Sequence, residues 1–431
     1  MSDAYGSDFI LSPVSALSPE TWPFSLECLP QPAYLVGGAV RDALLGRCSG
    51  YLDLDFVLPT GSVKIARKIA DRCQAGFVLL DAERQIARVV FKQATADFAQ
   101  QEGSTLEIDL HRRDFTANAI AYNPHTGEFI DPLQGYADLQ RGLLRMVSPA
   151  NLQSDPLRLL RGYRQAAQLG FIIDPDTQSM IRHLAPQLGQ VAAERVRVEL
   201  GYLLSSSKGT KWLGAAWEDG LLATWFNATH SQLAQVAAVD NSAAVLTEIW
   251  PQLGVELSQF VRDTVKTSWS TIAKLTCLVT PDPELAEAEL LLLTYSRAEI
   301  RAVTTAIKLL PQIAPEKITL VKMRLAEQYF FFRTAGKGFP TLAVLAVASG
   351  TPVDGIAPLI NRYLTPDDPV AHPTPLVTGK DLMQALQLPA GPQVGKLLTE
   401  IALAQVEGKI STSAEALKLA SQLLDKIIPN S

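Results

Sequence analysis

Two aspartates, Asp53 and Asp55, stand two positions apart in the apolar run LDLDF. In a β-strand, side chains at i and i+2 project from the same face, so these carboxylates lie side by side if the run is a strand. They repel each other unless a cation lies between them, and hard divalent ions such as Mg²⁺ prefer oxygen ligands. The spacing therefore predicts a site for a hard divalent cation, such as Mg²⁺, at Asp53 and Asp55.

A glycine turn precedes this pair of carboxylates. Gly37 and Gly38 follow the apolar run YLV and come before the helical segment AVRDALLG. Glycines at a strand-to-helix turn let the backbone approach a ligand and aim N–H groups at an anion. Arg41, three residues later, can reach phosphate oxygens with its guanidinium. A phosphate cradle facing a two-carboxylate metal site favours nucleotidyl transfer, whereas a plain turn with an exposed Arg41–Asp42 pair is the structural alternative.

A dense polar segment, HRRDFTANA, occupies residues 111–119. We expect it at a strand-to-helix transition, where its arginines and its amide suit the binding of a ribose and a triphosphate. A helix capped by Asp114 or Thr116, with exposed arginines, explains the same pattern equally well. Asp97 and Asp109 are candidates for a third carboxylate, although such residues are more often charges at strand ends.

Four charged residues recur every three positions in the segment DPLRLLRGYR. Asp155, Arg158, Arg161 and Arg164 are then neighbours on one helix surface, where they form a slanted ridge. The simple interpretation is a helix start with Asp155 as its N-cap and Pro156 at its first position. The functional interpretation is that a carboxylate and a guanidinium read a base edge in place of a template, which requires the ridge to face the metal site.

The elements that must position these residues separate into two parts. Residues 31–145 alternate short strands with few helices, which predicts a small mixed sheet. The predicted strands include GFVLLD, QIARVVF, TADFA, STLEIDL and EFIDP, and SVKIARKIADRCQ has the apolar spacing of a helix. After Pro149 the spacing is helical, and the Pro/Asp-rich segment 365–375 separates a last group of three short helices. The predicted fold class is therefore α+β.

Composition excludes several classes of protein. The 431 residues suffice for two to four domains, and no apolar run approaches the roughly 20 residues of a membrane span. The N-terminus lacks the features of a signal peptide, and four cysteines without CxxC spacing indicate reduced thiols, so we expect a cytoplasmic protein. The net charge of −6 argues against indiscriminate nucleic-acid binding. Residues 141–211 nevertheless carry ten Lys/Arg against five Asp/Glu, so a local basic surface can bind RNA.

Four motifs, GGAVRD, LDLDF, RRDFTANA and DPLRLLR, occur in this order. Together they resemble the class II tRNA nucleotidyltransferases and the related bacterial poly(A) polymerases, closely over residues 33–205, and the segment from TGKDL to EGKIST resembles the C-terminal part of many bacterial members. The resemblance implies a small mixed-sheet nucleotidyltransferase head followed by an all-helical neck, body and tail. The implied boundaries are an extension at 1–30, the head at 31–145, the neck at 146–205, the body at 206–364 and the tRNA-binding tail at 365–431.

The resemblance also implies residue roles. Asp53 and Asp55 would bind two Mg²⁺ ions, one activating the tRNA 3′-hydroxyl and one holding the incoming triphosphate. Asp155 and Arg158 would pair with the Watson–Crick edge of CTP or ATP. The nucleotide-binding residues implied in this way are Gly37, Gly38, Arg41, Arg113, Asn118, Asp155, Arg158, Arg161 and Arg164.

Two departures from the family pattern bear on the activity. Ser154 stands where members usually have a glutamate, which affects the orientation of the neck. Only eleven residues separate Asp97 from Asp109, whereas enzymes that add the whole CCA carry a flexible loop in this region. The short segment resembles enzymes with partial activity, particularly those that add CC and leave the final A to a partner enzyme.

The leading hypothesis is template-independent addition of C, A or both to the 3′ end of tRNA, with CTP and ATP as substrates. A poly(A) polymerase on the same scaffold is the first alternative. A small-molecule nucleotidyltransferase is disfavoured because about 280 mainly helical residues follow the head, enough to hold a folded RNA. A non-catalytic RNA-binding protein is disfavoured because Asp53, Asp55 and Arg41 are all present. The sequence predicts no oligomeric state.

Overall fold

The computed structural model describes residues 16–47, 50–262, 265–315 and 323–427. These residues form two compact units. The first unit extends to Thr224 except for residues 204–210, which belong to the second unit. The first fifteen residues of the predicted N-terminal extension lie outside the described residues.

A seven-stranded mixed sheet forms the core of the first unit and confirms the α+β fold class. Its strands in chain order are β1 (Tyr34–Val36), β2 (Leu52–Leu58), β3 (Gly76–Asp81), β4 (Ile86–Val90), β5 (Ala94–Gln100), β6 (Ala121–Asn123) and β7 (Glu128–Ile130). Their spatial order is β3-β4-β5-β2-β1-β6-β7. Strands β2 and β5 are parallel, and this register places Thr95 opposite Asp53 and Asp97 opposite Asp55. The sheet thus brings residues from two predicted strands to the candidate site.

Four helices complete this part of the first unit. They are α1 (Gly38–Leu44), α2 (Ser62–Cys73), α3 (Leu106–His111) and α4 (Gly135–Arg141). Helix α1 follows the glycine turn, as predicted, and α2 buries Ala66 and Ile69 in the core of the sheet. The strand–glycine turn–helix–strand order predicted for residues 34–56 is therefore confirmed.

An aromatic cluster holds the described part of the N-terminal extension against the sheet. The rings of Trp22 and Phe56 lie 5.1 Å apart, and those of Phe56 and Phe98 lie 5.3 Å apart. Trp22, Phe24 and Leu29 are all buried in the same core as the sheet. Residues 16–30 therefore pack as part of the first unit, because their large apolar side chains cover one face of β2 and β5.

The segment STLEIDL was predicted as a strand, and this prediction is wrong. It forms the helix α3, whose N-cap Thr105 accepts a hydrogen bond from the backbone N–H of Ile108. Leu106 and Leu110, four positions apart, face the core, whereas Ile108 is exposed. Spacing of this kind fits a helix, and the capping threonine decides between the two periods.

The rest of the described chain is mainly helical, as predicted. The first unit continues through β8 (Leu143–Leu144), α5 (Pro149–Ser154), α6 (Leu157–Leu169), β9 (Ile172–Ile173), α7 (Pro175–Leu184) and α8 (Ala193–Leu204). The next elements are α9 (Ser207–Glu218), α10 (His230–Ile249), α11 (Pro251–Ser258), β10 (Phe260–Arg262), β11 (Val265–Ser268), α12 (Trp269–Leu278), α13 (Pro283–Leu292) and α14 (Arg297–Leu309). The two-stranded sheets β8–β9 and β10–β11 are additions to the all-helical prediction.

Residues 323–427, the last described range, contain six further helices. They are α15 (Leu325–Ala335), α16 (Phe339–Ala348), α17 (Val353–Leu364), α18 (Gly379–Leu386), α19 (Pro392–Val406) and α20 (Ser413–Ile427). The last three confirm the three short helices predicted after the Pro/Asp-rich segment. No helix within the described residues is long and apolar enough to cross a membrane.

Candidate active site

Asp53 and Asp55 lie on strand β2 and both line one cavity of about 890 Å³. They alternate with Leu54 and Phe56, whose side chains are buried in the core. Thr95 on the parallel neighbour β5 donates a hydrogen bond from Oγ1 to Oδ1 of Asp53 over 2.6 Å. The two carboxylates thus share a face of the sheet, as their spacing predicts, and one of them is oriented by the next strand.

The electrostatic environment of Asp55 disfavours its ionised form when no cation is bound. Burial, together with the charges of Asp53 and Asp97, raises the pKa of Asp55 to about 6, and the charges of Arg113 and Arg161 oppose this shift. A divalent cation beside the pair would favour the ionised form of both carboxylates. The chemistry of this donor set therefore fits a hard divalent ion.

The two candidates for a third carboxylate are engaged elsewhere. Asp97 forms a bidentate ion pair with Arg88, with both N···O distances at 2.7 Å. Asp109 is fully buried and accepts hydrogen bonds from Arg112 and Arg113. Asp97 thus influences Asp55 through its charge, and Asp109 orients two arginines of the RRDFTANA segment.

Two carboxylates are sufficient for the type of metal site that binds together with a nucleotide. Among the described residues, no cluster of three or more His, Cys, Asp or Glu side chains is arranged to hold a metal ion. Mg²⁺ usually keeps several waters and is bound by one or two carboxylates together with substrate phosphates. Asp53 and Asp55 match that pattern, in which the substrate completes the coordination.

Three motifs that are far apart in the sequence meet in one hydrogen-bond network. Arg41 of α1 donates from Nη1 to Oδ1 of Asn118 over 2.7 Å. Asn118 in turn donates from Nδ2 to Asp114 over 2.8 Å and to Oε1 of Gln165 over 3.0 Å. Arg161 of α6 donates from Nε to Asp114 over 2.8 Å. The motifs GGAVRD, RRDFTANA and DPLRLLR are thus locked into one structure beside Asp55.

Asp114 is the buried anion at the centre of this network. Burial alone would raise the pKa of Asp114, but Arg161, the Asn118 amide and the backbone N–H of Phe115 outweigh it and hold that pKa below its usual range. The same ion pair raises the pKa of the Arg161 guanidinium. Asp114 is therefore a permanent negative charge that fixes Arg161 in position.

The helix-capping interpretation of the RRDFTANA segment is wrong. The segment follows α3 and forms a short 3₁₀ turn, Thr116–Asn118, whose N-cap position is held by Phe115 without a side-chain cap. The hydroxyl of Thr116 donates to Asp138 over 2.6 Å. The expected strand-to-helix transition is also wrong, because the segment passes from a helix to strand β6.

Arg113 lies close to the glycine turn. Its Nη2 donates to Asp109 over 3.2 Å, and its Nε is buried without a hydrogen-bond partner in the described structure. A Cβ atom added at Gly37 would lie 3.7 Å from Nη1 of Arg113. Arg113 is thus fixed by one carboxylate, with a donor left for a further acceptor.

The predicted ridge on α6 divides between two cavities. Arg161 and Arg164 line the large cavity that contains Asp53 and Asp55. Asp155, Arg158 and Arg161 line a second cavity of about 260 Å³. Arg161 therefore belongs to both cavities, and half of the ridge faces the carboxylate pair, while the other half faces a neighbouring pocket.

Arg158 in the smaller cavity is held by the backbone. Its Nη1 donates to the carbonyl oxygens of Arg112, over 2.9 Å, and Asn151, over 3.1 Å. Burial lowers the pKa of Arg158, which the charges of Asp114 and Asp155 oppose. Within the described ranges the guanidinium is therefore fixed by carbonyl oxygens and pairs with no carboxylate, which leaves other N–H groups as donors.

Asp155 is an acceptor that the structure orients from α8. Arg195 donates from Nη2 to Oδ2 of Asp155 over 3.0 Å. Asp155 is the C-cap of α5, and α6 begins at Leu157 with Pro156 in the N-cap position, so the predicted helix start is one residue too early. Ser154, at the position where the family usually has a glutamate, donates to the carbonyl oxygen of Asn151.

Arg164, the last residue of the ridge, forms an ion pair with a residue of α8. Arg164 pairs with Glu199 and donates to Gln168 over 2.7 Å. Its guanidinium also lies 5.3 Å from the ring centroid of Tyr202. Gln165 in the network and Arg195 beside Asp155 carried no sequence signal for these contacts, because each contact spans more than 30 positions.

Comparison with known proteins identifies the family of this chain. The model of the poly A polymerase head domain matches residues 33–145, and that of tRNA nucleotidyltransferase domain 2 matches residues 263–420. A CC-adding tRNA nucleotidyltransferase from Synechocystis is 49% identical over 419 residues, which is 96% of this chain and 99% of the relative. The chain belongs to the tRNA nucleotidyltransferase family. Members of this family use a divalent metal ion, which the Asp53 and Asp55 pair fits.

Other relatives within the family differ in the nucleotide that their names specify. A CC-adding enzyme from Geobacter sulfurreducens is 32% identical over 89% of this chain and 90% of its own length. An A-adding enzyme from Deinococcus radiodurans is 31% identical over 90% of this chain and 94% of its own length. A solved CCA-adding enzyme in complex with CTP has a TM-score of 0.70 at 23% identity, with 91% of each chain covered, and shares the fold.

Proposed function

We propose that this chain adds two C residues to the 3′ end of tRNA, using CTP and releasing pyrophosphate. The observation that carries the proposal is the shared cavity, in which the Asp53–Asp55 pair faces Arg41, Arg161 and Arg164. Paired carboxylates next to several fixed guanidinium groups suit a reaction in which a triphosphate is held and a phosphoryl bond is exchanged. The Synechocystis relative named as CC-adding supports the same choice of reaction.

Mg²⁺ is the ion that we assign to Asp53 and Asp55. When bound, it would lower the pKa of the RNA 3′-hydroxyl and neutralise charge on the triphosphate. The chain itself supplies the fixed geometry, because Thr95 orients Asp53 and the glycine turn at Gly37 packs against Asp55. Arg41 is pre-positioned by its hydrogen bond to Asn118, so it can hold phosphate oxygens without reorganising.

Base choice is assigned to Asp155 and Arg158, within the proposed neck at residues 146–205. Cytosine presents an amino donor beside a ring-nitrogen acceptor on its Watson–Crick edge, and adenine presents the same order. A carboxylate acceptor next to a guanidinium donor complements that pattern, whereas uracil presents an N–H donor where an acceptor is needed. The two residues therefore favour CTP and ATP over UTP, with protein groups in place of a template.

Termination after two C residues is assigned to the short connection between β5 and α3. Residues 101–105 alone link these two elements, which leaves no room for the flexible loop of enzymes that add the whole CCA. We place the reaction in the cytoplasm, with a second enzyme adding the final A.

The experiment uses tRNA transcripts that end at the discriminator base, at C or at CC. Each transcript is incubated with CTP, with ATP or with both, and the 3′ ends are sequenced. With CTP, we expect two C additions to the transcript that ends at the discriminator base, one to the transcript that ends at C and none to the transcript that ends at CC. We expect no addition of A, even when ATP is present. Addition of A after CC would contradict the CC-only activity, and long A tails would instead identify a poly(A) polymerase.

A further inference from the structure

The second unit contains a small basic cavity outside the site described above. It has a volume of about 230 Å³. Its lining residues come from β10, α12, α14, α15 and the start of α16: Arg262, Trp269, Ala298, Arg301, Ala302, Thr305, Ala306, Thr334, Ala335, Gly338, Thr341 and Leu342. None of these described residues is acidic, although the chain as a whole carries a net charge of −6. We call this cavity the body notch.

The two arginines of the body notch lack the partners that other arginines in this unit have. From Trp225 to the C-terminus the sequence contains six arginines. Arg297 and Arg362 pair with carboxylates, as does Arg324, whereas Arg333 lies over two aromatic rings. Arg262 and Arg301 have no side-chain partner within the described residues, and both line the same cavity.

One described carboxylate close to Arg301 in the sequence, that of Glu299, is already engaged. Glu299, two positions before Arg301, is buried and accepts a hydrogen bond from the hydroxyl of Thr267 over 2.6 Å. The same carboxylate accepts the backbone N–H of Ser296 over 2.8 Å as part of a capping box. Within the described residues, the charge of Arg301 is therefore not neutralised by Glu299 and can be met by a bound anion.

The body notch brings both arginines to one cavity, whose lining also includes threonines and small apolar side chains. Arg301 and Thr305 lie one turn apart on α14 and share a face, and the small side chains of Ala298 and Ala302 line the same cavity. The ring of Trp269 packs closely beneath Gly338, where a Cβ atom would approach it to 3.2 Å. Planar guanidinium groups bind phosphate oxygens in a bidentate manner, which gives this cavity a specific ligand class.

We propose that Arg262 and Arg301 bind a backbone phosphate of the RNA substrate. This inference rests on the proposed function, because the substrate of that function carries one phosphodiester for each nucleotide. The body notch then contributes affinity for the RNA without contacting the reacting atoms. Its contribution weakens with salt, because binding of a phosphate by an arginine releases condensed counterions.

The test measures binding of a tRNA transcript ending at the discriminator base over a series of salt concentrations. R262A/R301A should raise the Kd at low salt about tenfold or more. It should also make the plot of log K against log salt shallower by about one for each phosphate that the protein no longer binds. The R262K/R301K variant keeps both charges, so its Kd should lie between that of R262A/R301A and that of the wild type. R297A, which removes an exposed arginine one turn away on α14, should bind like the wild type.

The C-addition assay separates failure of the body notch from failure of the proposed function. R262A/R301A should raise KM for the tRNA transcript and leave kcat at saturating transcript unchanged, with an unchanged melting temperature. If its Kd and its salt dependence equal those of the wild type, the body notch does not bind the RNA. If the wild type fails to extend the transcript, the proposed function is wrong, whereas the binding comparison still decides the role of the notch.

Discussion

The Oδ2 atom of Asp55 lies 3.2 Å from the position that a Cβ atom would occupy at Gly37. Gly37 also has a φ of 71°, a backbone conformation that L side chains rarely adopt. The glycine turn and the carboxylate pair are therefore one structure, in which the turn determines where Asp55 can lie. This close approach explains why a glycine is needed ahead of the metal site as well as for a tight turn.

Gly37→Ala should reduce kcat/KM for CTP by tenfold or more, because the added methyl group displaces Asp55 or the turn. Gly127→Ala is the matched control, since Gly127 has a φ of 76° with nothing within 4 Å of its Cβ position. Both variants should lose about 1 kcal/mol of stability from the strained backbone. Steady-state kinetics and thermal melting measure the two effects. Equal activity of the two variants would show that the packing of Gly37 against Asp55 does not affect kcat/KM.

The pKa of Asp55, raised to about 6, predicts an unusual dependence of stability on pH. A carboxyl group whose pKa is higher in the folded state binds more protons when folded, so it lowers stability as pH rises from about 4 through 6. In metal-free protein, Asp55→Asn should therefore raise the melting temperature at pH 8 by several degrees. The gain should vanish at pH 4. The same substitution should abolish C addition.

The metal dependence supplies a second readout for Asp55. Protons compete with the ion below pH 6, so the concentration of Mg²⁺ needed for half-maximal activity should rise as pH falls below that value. Asp71→Asn, an exposed carboxylate on α2, serves as the control for both measurements. If Asp55→Asn melts at a lower temperature than the wild type at pH 8 in a metal chelator, the raised pKa of Asp55 is contradicted.

Arg158→Ala should reduce the preference for CTP over UTP roughly tenfold to a hundredfold, because hydrogen bonds to a charged donor contribute about 1.5–3 kcal/mol. Arg195→Ala should give a smaller effect in the same direction, since Arg195 lines the same cavity and orients the Asp155 carboxylate. Competition of CTP with UTP in primer extension measures the ratio. Arg141→Ala, at an exposed position on α4, is the control. An unchanged ratio in Arg158→Ala would reduce Asp155 and Arg158 to a structural role.

The sequence allowed prediction of the parts of the site that are local in the chain. The strand at Asp53 and Asp55, the glycine turn and the α6 ridge each depend on spacings of two to four residues, which periodicity reveals. The role of Asp114 could not be predicted in this way. Its partners, Arg161 and Gln165, lie about 50 positions away, and the local pattern fits a helix cap equally well. Pairing across the sequence decides between a helix cap and a buried anion at Asp114, and this pairing is visible only in the folded structure.

The errors in secondary structure have a similar cause. The segment STLEIDL has both the alternation of a strand and the four-residue apolar spacing of a helix, and Thr105 resolves the ambiguity as a cap. Packing of Trp22 and Phe24 on the sheet was not predicted, since a Ser- and Pro-containing segment gives no periodic signal. The α6 ridge is divided between two cavities because residues of the RRDFTANA segment line one of them. The helical spacing of α6 alone contains no information about that segment.

The most direct test of the metal site compares CMP incorporation by the wild type with that by Asp53→Ala. The reaction contains Mg²⁺, CTP and a tRNA transcript ending at the discriminator base, and binding of the transcript is measured in parallel. We predict that Asp53→Ala loses incorporation by at least a thousandfold, roughly the effect of losing one essential electrostatic group in an active site, and still binds the transcript. Asp71→Ala should behave like the wild type in both measurements. Incorporation by Asp53→Ala near the wild-type rate would contradict the assignment of the metal site and, with it, the proposed chemistry.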